Sequence, residues 1–234
     1  MGGFVDIASG VLAQATQRLE VAAQNVSNIG TAGYKRQISF SSILDGNSSD
    51  IARHVAVDLS PGKSVNTDNP YDISILGRGF FVVASPRGIF YTRAGQFHRD
   101  GDGRLLNAAG MALQTDAGVD LTLTSNKPFQ LQADGTVIED GQPTARIGVV
   151  DLSDPIATTY ADGGVLSAPS ATVSTVDAPE IRQGAYESSN VSSGAEMTSI
   201  MLSLRQAETG QKLVNVYDDL MGRIIESFGQ TGGS

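Results

Sequence analysis

The chain has 234 residues, no cysteine, no tryptophan and a formal charge of −9. Disulfides and thiolate metal sites are excluded, and the scattered basic residues offer none of the basic face that a duplex nucleic-acid binder presents. No apolar run approaches the about 18 residues of a membrane-spanning helix, so neither nucleic acid nor membrane insertion is expected.

The N-terminus, MGGFVDIASG, lacks the basic start and apolar centre of a cleavable secretory leader, and none is expected. Residues 3–29 read as a helix. Val5, Ala8, Leu12, Ala15, Leu19, Ala22, Val26 and Ile29 follow one another at alternating spacings of three and four, a heptad seam for packing along another helix. Gly30 stands where a C-terminal glycine belongs. Between residues 1 and 29 only Asp6, Arg18 and Glu20 are charged. An ordinary surface helix carries a charged outer face, so this one is expected to lie among close neighbours.

Residues 39–69 are polar, with Ser41, Ser42, Asn47, Ser48, Ser49 and then Pro61-Gly62, and read as an extended arm or linker. From residue 70 the period changes to two. YDISIL, FFVVA at 80–84, IFYTR at 89–93, TVIE at 136–139 and IGVVD at 147–151 are short β-branched runs. Asp-Gly turns at 100–101, 102–103, 134–135 and 140–141, and Ser85-Pro86-Arg87-Gly88, punctuate them. The pattern is that of an antiparallel β domain over 70–191. Residues 193–228 return to helical spacing. Ser193 and Glu196 have the separation of a capping box. Met197, Ile200, Met201, Leu204, Ala207, Val214, Met221, Ile225 and Phe228 form a seam interrupted by Gln211 and Asp218. Neither helix has a domain of its own beside it, so each is expected to pair with the other.

Chemistry-bearing motifs are sparse. Asp100-Gly101-Asp102-Gly103 begins like a calcium loop but lacks the later ligands and closing Glu, so plain turns are expected. Gly77-Arg78-Gly79 precedes a strand instead of opening a helix, the wrong context for a phosphate loop; close backbone passage is expected there. His54 and His98 are not in metal-ligand spacing, and no nucleophile elbow is present. No catalytic residue, cofactor or metal is expected, and the chain is not expected to be an enzyme.

One resemblance does carry information. VAAQNVSNIGTAGYKR at 21–36 resembles the N-terminal signature of the flagellar rod, hook and hook-associated axial proteins, matched by Asn25, Val26, Ser27, Asn28, Thr31, Gly33, Tyr34 and Lys35. Gln24 and Gly30 stand where that family commonly has Asn. Residues 69–110 resemble its central block through Gly79-Phe80-Phe81, Tyr91-Thr92-Arg93, Gly95 and Phe97. QGAYESSNV at 183–191 resembles the block before its last helix, through Gly184, Glu187, Ser189, Asn190 and Val191.

The resemblance implies a rod subunit of the bacterial flagellar basal body. It implies a tube crossing the periplasm, export through the flagellar type III apparatus, and assembly with itself and other rod proteins. Its short length and compact middle resemble the proximal-rod members most, with distal-rod members and small hook subunits as alternatives. The expected fold is α+β: a mainly β central domain at 70–191, the arm at 39–69, and a discontinuous α-helical coiled-coil domain from both termini, 1–38 and 192–234. The assembly interface is expected at Val5, Leu12, Leu19, Asn25, Val26, Asn28, Thr31, Gly33 and Tyr34, and at Met197, Leu204, Met221 and Ile225. Two readings from other classes stand beside it: a ligand-binding β module, which the 6% aromatic content disfavours, and an enzyme on a β scaffold, which would need converging ionisable groups in a cleft.

Overall fold

In the computed structural model of the chain the described residues are 3–43, 51–125 and 127–231; side chains at 3–7, 41–43, 51–53 and 224–231 lie outside the description, Val5 and Ile225 among them. The chain is mainly β, with a helix at each end, and it divides into two compact units.

The first unit holds helix α1 (Gly3–Ser27) up to Val26, the strand pair formed within 38–55, and helix α2 (Ser193–Thr231). The helices pack together. Asn25 Nδ2 donates to Glu196 Oε2 at 3.2 Å, and Arg18 reaches Gln206 Oε1 at 3.5 Å. Gly210 lies against Ala8 and Leu12, and a Cβ built on it would sit 3.6 Å from that of Leu12. Residue numbers rise on one helix as they fall on the other, so the pair is antiparallel.

Among the described side chains the buried positions are Ala8, Ala15, Ala22 and Asn25 on α1 and Glu196, Ser203 and Gly210 on α2; the three alanines recur at intervals of seven, and so do the three α2 positions. Small side chains on both rows let the backbones approach closely. The larger residues of the expected seam lie elsewhere. Leu12 is exposed, Leu19 and Val26 are half-buried, and Met197 and Leu204 are each 46% exposed. The heptad spacing is present on α1, but its alanine row faces the partner helix. The physical reason is volume: leucines in the seam would hold the axes further apart than Gly210 and Ser203 permit.

Residues 39–69, expected as an arm, hold most of strand β1 (Gln37–Ile43) and all of its partner β2 (Ile51–Val57), with Phe40 stacked on His54 at 5.4 Å.

The second unit comprises residues 27–37 and 56–192. After β3 (Ser64–Asn66) and β4 (Ile73–Leu76) comes the hairpin β5 (Phe80–Ser85) and β6 (Gly88–Thr92). Short strands β7 (His98–Arg99), β8 (Leu105–Leu106), β9 (Ala112–Leu113) and β10 (Gln130–Leu131) precede β11 (Thr136–Glu139), β12 (Gln142–Arg146) and β13 (Val149–Leu152). Then follow β14 (Thr159–Tyr160), β15 (Leu166–Ser167), β16 (Val173–Thr175), β17 (Glu180–Gln183) and β18 (Ala185–Glu187).

The largest sheet runs β14-β15-β6-β5-β9-β8-β7, with β13 joining β5 and β16. A three-stranded sheet, β10-β11-β12, and the pairs β17-β4 and β18-β3 complete the unit, and these pairings are antiparallel. The last two pairs return the end of the unit to its beginning. Alternate residues of the strands fill one core around Ile73, Phe81, Val83, Leu105, Leu113 and Ile147 and a smaller one around Phe80, Leu152 and Leu166. Each such side chain contributes about 1.5–3 kcal/mol on burial. The Asp-Gly sites are turns: Asp100 Oδ1 accepts from the N–H groups of Asp102 and Arg104, which commits its carboxylate locally.

Candidate functional site

Three segments far apart in sequence, 33–36, 93–94 and 187–190, meet in the second unit as a buried polar junction. Its centre is Glu187. In β18 the burial alternates, with Ala185 and Glu187 inward and Tyr186 half-buried, so the two-residue period of a strand turns this carboxylate into the interior. Lys35 Nζ lies 2.7 Å from Glu187 Oε1, and Arg93 Nε lies 2.5 Å from Oε2. All three side chains are at most 3% exposed. The Gly62 N–H also donates to Oε1 at 2.7 Å.

The remaining donors of the cations are spent on backbone. Lys35 Nζ donates to the Ser60 carbonyl at 2.6 Å. Arg93 Nη2 donates to Ile75 O at 2.9 Å and Gly77 O at 2.5 Å, and Nη1 donates to Gly79 O. The glycines at 77 and 79, flagged by sequence as close backbone passage, thus supply carbonyls to the guanidinium. The ring of Phe80 lies 5.9 Å from Lys35 Nζ and 5.8 Å from the Arg93 guanidinium carbon.

Backbone approach explains the glycine in the first segment. Gly33 has φ +67°, and its N–H donates to Glu187 O at 2.7 Å. A Cβ at residue 33 would lie 2.0 Å from the Ala94 nitrogen, so no larger residue fits without moving the chain.

Two further residues bind the junction. Tyr34 stacks on Tyr160 at 5.0 Å, and the Tyr160 hydroxyl accepts from Lys35 N at 2.6 Å while donating to Lys35 O at 2.9 Å. Asn190 Oδ1 accepts from Arg36 N at 2.6 Å, and its Nδ2 donates to the carbonyls of Asp58 and Ser60, each at 3.0 Å. Asn190 N–H donates to Tyr34 O at 3.3 Å.

Two cations share one anion in this interior. Burial lowers the Lys35 pKa below 10.5, the attraction of Glu187 opposes that, and Arg93 adds to the lowering. Burial likewise raises the Tyr160 hydroxyl far above 10.0 and keeps it neutral as donor and acceptor. The arrangement joins chain segments: no buried side-chain polar atom among the described residues lacks a partner, and no cluster of His, Cys, Asp or Glu among them could hold a metal ion.

The residues expected at the assembly interface divide into three groups. Gly33 and Tyr34 are in the junction, beside Lys35. Asn28 and Thr31 form the turn before it, Thr31 N–H donating to Asn28 O at 3.1 Å and Tyr34 N–H to Thr31 O at 3.3 Å. Asn25 is buried in the helix pair against Glu196, while Leu12, Met197 and Leu204 are exposed and Leu19, Val26 and Met221 half-buried. Arg93 and Glu187 escaped the sequence-based interface list. The available signal was a charged residue inside each of three otherwise glycine-rich or small-residue blocks.

Comparison with known proteins places two of these blocks, those of Arg93 and Glu187, within matched family models. Residues 74–139 fit the family model described as the flagellar hook protein FlgE/F/G D1 domain, and residues 182–227 fit the flagellar basal body rod FlgEFG protein C-terminal model. A flagellar basal-body rod protein FlgF of Caulobacter vibrioides is 30% identical over 230 residues, spanning 92% of this chain and 93% of its own. A basal-body rod protein FlgG of Agrobacterium fabrum is 27% identical, over 91% and 94%. A flagellar hook protein FlgE of Rhizobium meliloti is 38% identical over 130 residues, covering half of this chain and 32% of its own.

Proposed function

Because this chain belongs to the family of flagellar basal-body rod and hook proteins, and is most like the FlgF members as a structural subunit of the rod, we propose that it builds the proximal rod. In this reading it polymerises, with itself and with other rod proteins, into the tube wall that transmits torque across the periplasm and encloses the export channel. The subunit reaches that place through the flagellar type III apparatus. The domain organisation proposed is a terminal helical axial domain from 1–38 and 192–234, a linking arm at 39–69 and a β domain at 70–191. A distal-rod role is the second reading, favoured by the end-to-end likeness to FlgG at 27% identity.

The observation that carries the assembly reading is the inside-out distribution of side chains on the helix pair. Ala8, Ala15, Ala22, Ser203 and Gly210 are buried while Leu12, Met197, Met201, Leu202 and Leu204 are exposed. A soluble monomer ordinarily arranges the two sets the other way round. The exposed Leu12, Met197 and Leu204 suit helical neighbours in a coiled-coil-like wall, and to that wall we also assign the half-buried Leu19, Val26 and Met221, together with Val5 and Ile225. Asn25, Asn28, Thr31, Gly33 and Tyr34 would set the corner at the end of α1.

Leu204→Asp tests this. At 46% exposure the carboxylate remains solvated in the free subunit, so its circular dichroism and unfolding midpoint should match the parent protein. In an assembled wall the same carboxylate would be buried without a partner, at a cost of several kcal/mol. Loss of rod incorporation and motility with an unchanged monomer is expected; normal motility would refute the proposed interface.

A further inference from the structure

We infer that the second unit is locked by its C-terminal strand: Lys35 and Arg93 enter the interior only when Glu187 arrives with them, so that residues 33–36, 89–95 and 183–190 become ordered in one step. The argument begins with charge. The two cations are at most 2% exposed and share one carboxylate, Glu187, which lies 152 residues from Lys35 and 94 from Arg93. Asp58 acts on Lys35 as well, but it is only half-buried and accepts from Ser60 N. Without Glu187, closure would bury two cations over the Phe80 ring with no anion between them, which the low-dielectric interior strongly disfavours.

The backbone argues the same way. Gly33 N–H requires Glu187 O, Gly62 N–H requires the Glu187 carboxylate, and Ser188 N–H pairs with Lys63 O. Asn190 then serves Tyr34 and Arg36 as well as Asp58 and Ser60. Residues 187–190 are therefore the shared partner of segments 33–36 and 58–63, and β17 and β18 are the partners of β4 and β3.

Glu187 also follows both cations in the chain, Lys35 and Arg93 preceding it. A polypeptide made from its N-terminus contains Lys35 and Arg93 long before it contains their counter-charge. The lock then keeps the unit open until residue 187 has been made. The strands around Leu105 and Leu113 carry no such requirement and can order earlier.

The test uses the full-length protein, diluted from urea and pulse-labelled by amide exchange at successive times. Peptides from 33–37, 89–95 and 183–190 should gain protection with one shared rate constant. Glu187→Gln should slow that phase about tenfold or more, as expected when the altered contact forms in the rate-limiting step. Glu187→Asp, which keeps the charge on a shorter arm, should refold faster than Glu187→Gln. Protection of 89–95 in an earlier phase than 183–190 overturns the inference, and so do equal rates for the Gln and Asp variants. Should Glu187→Gln not refold at all, the order of protection in the unsubstituted chain still decides the question.

Discussion

Lys35→Met should cost far less stability than Glu187→Gln, although both break the same 2.7 Å ion pair. Glutamine at 187 leaves two buried cations without an anion, and removing one partner of a buried pair costs about 3–5 kcal/mol. For a chain of this size each kcal/mol moves the thermal midpoint by about 2–4 °C, so the loss should be about 6–20 °C. Methionine at 35 instead takes the cluster from one excess positive charge to neutrality. Glu187 keeps Arg93 and the Gly62 N–H, and Ser60 O keeps the Asn190 amide. The loss is of two charge-assisted hydrogen bonds, to Glu187 and to the Ser60 carbonyl, each worth about 1.5–3 kcal/mol. Against it stands the burial of the ammonium, which outweighs the attraction of Glu187, since the Lys35 pKa is lowered. The net loss should be about 2 kcal/mol or less once the several kcal/mol of ammonium burial are relieved, the thioether replacing the aliphatic stem beside Phe80. The sign can be checked by pH: a lowered lysine pKa means that the parent gains stability as pH rises from that value to 10.5, and Lys35→Met should lack this gain. Urea unfolding followed through tyrosine fluorescence measures both. A Lys35→Met protein as weakened as Glu187→Gln would refute the view that one carboxylate carries the junction.

Three further outcomes follow from the geometry. Tyr160 is held neutral by burial, so the stability it contributes is present below its ordinary value of 10.0 and is lost as pH rises above it; Tyr160→Phe should flatten the fall in urea midpoint between pH 8 and about pH 11. Gly33→Ala must place a Cβ 2.0 Å from Ala94 N at φ +67° and should cost about 3 kcal/mol or more by thermal unfolding. Gly118→Ala, at φ +74° but facing open space, should cost about 1 kcal/mol; equal losses would exclude close approach as the cause. Gly210→Ala should leave helicity by circular dichroism equal or higher, since its Cβ meets Leu12 at an ordinary 3.6 Å and alanine favours helix by about 1 kcal/mol, whereas Gly210→Leu should separate the helices and lower it.

Periodicity made the two helices and the principal strands legible. The runs read at 80–84 and 136–139 lie in β5 and β11, and all but the last residue of 89–93 lies in β6. It failed on the seam because a search for large apolar residues passes over Ser203 and Gly210, and because both rows of the α1 heptad, leucine and alanine, satisfy the same spacing. The facing row is decided by how close the partner backbone comes, and the partner lies about 190 residues away. Strands β17 and β18 were missed because EIRQ and AYE are short and their burial depends on β4 and β3. The junction was half legible: its segments stood out by resemblance, and Gly33 by the turn it implied. That Lys35, Arg93 and Glu187 form one cluster is a matter of long-range closure, which no local spacing encodes.

The Asn190–Tyr34 and Arg36–Asn190 bonds also decide how the second unit bears load. A pull applied through the segments that precede residue 34 and follow residue 190 enters and leaves through the same few atoms. The Lys35–Glu187 bridge lies immediately behind them. Force therefore passes across this clasp and not along the strands between, which stay off the mechanical path until the clasp opens. A drawn-out, high-force first rupture at the junction, followed by easy unzipping of the sheets, is the signature such a layout would give in single-molecule stretching.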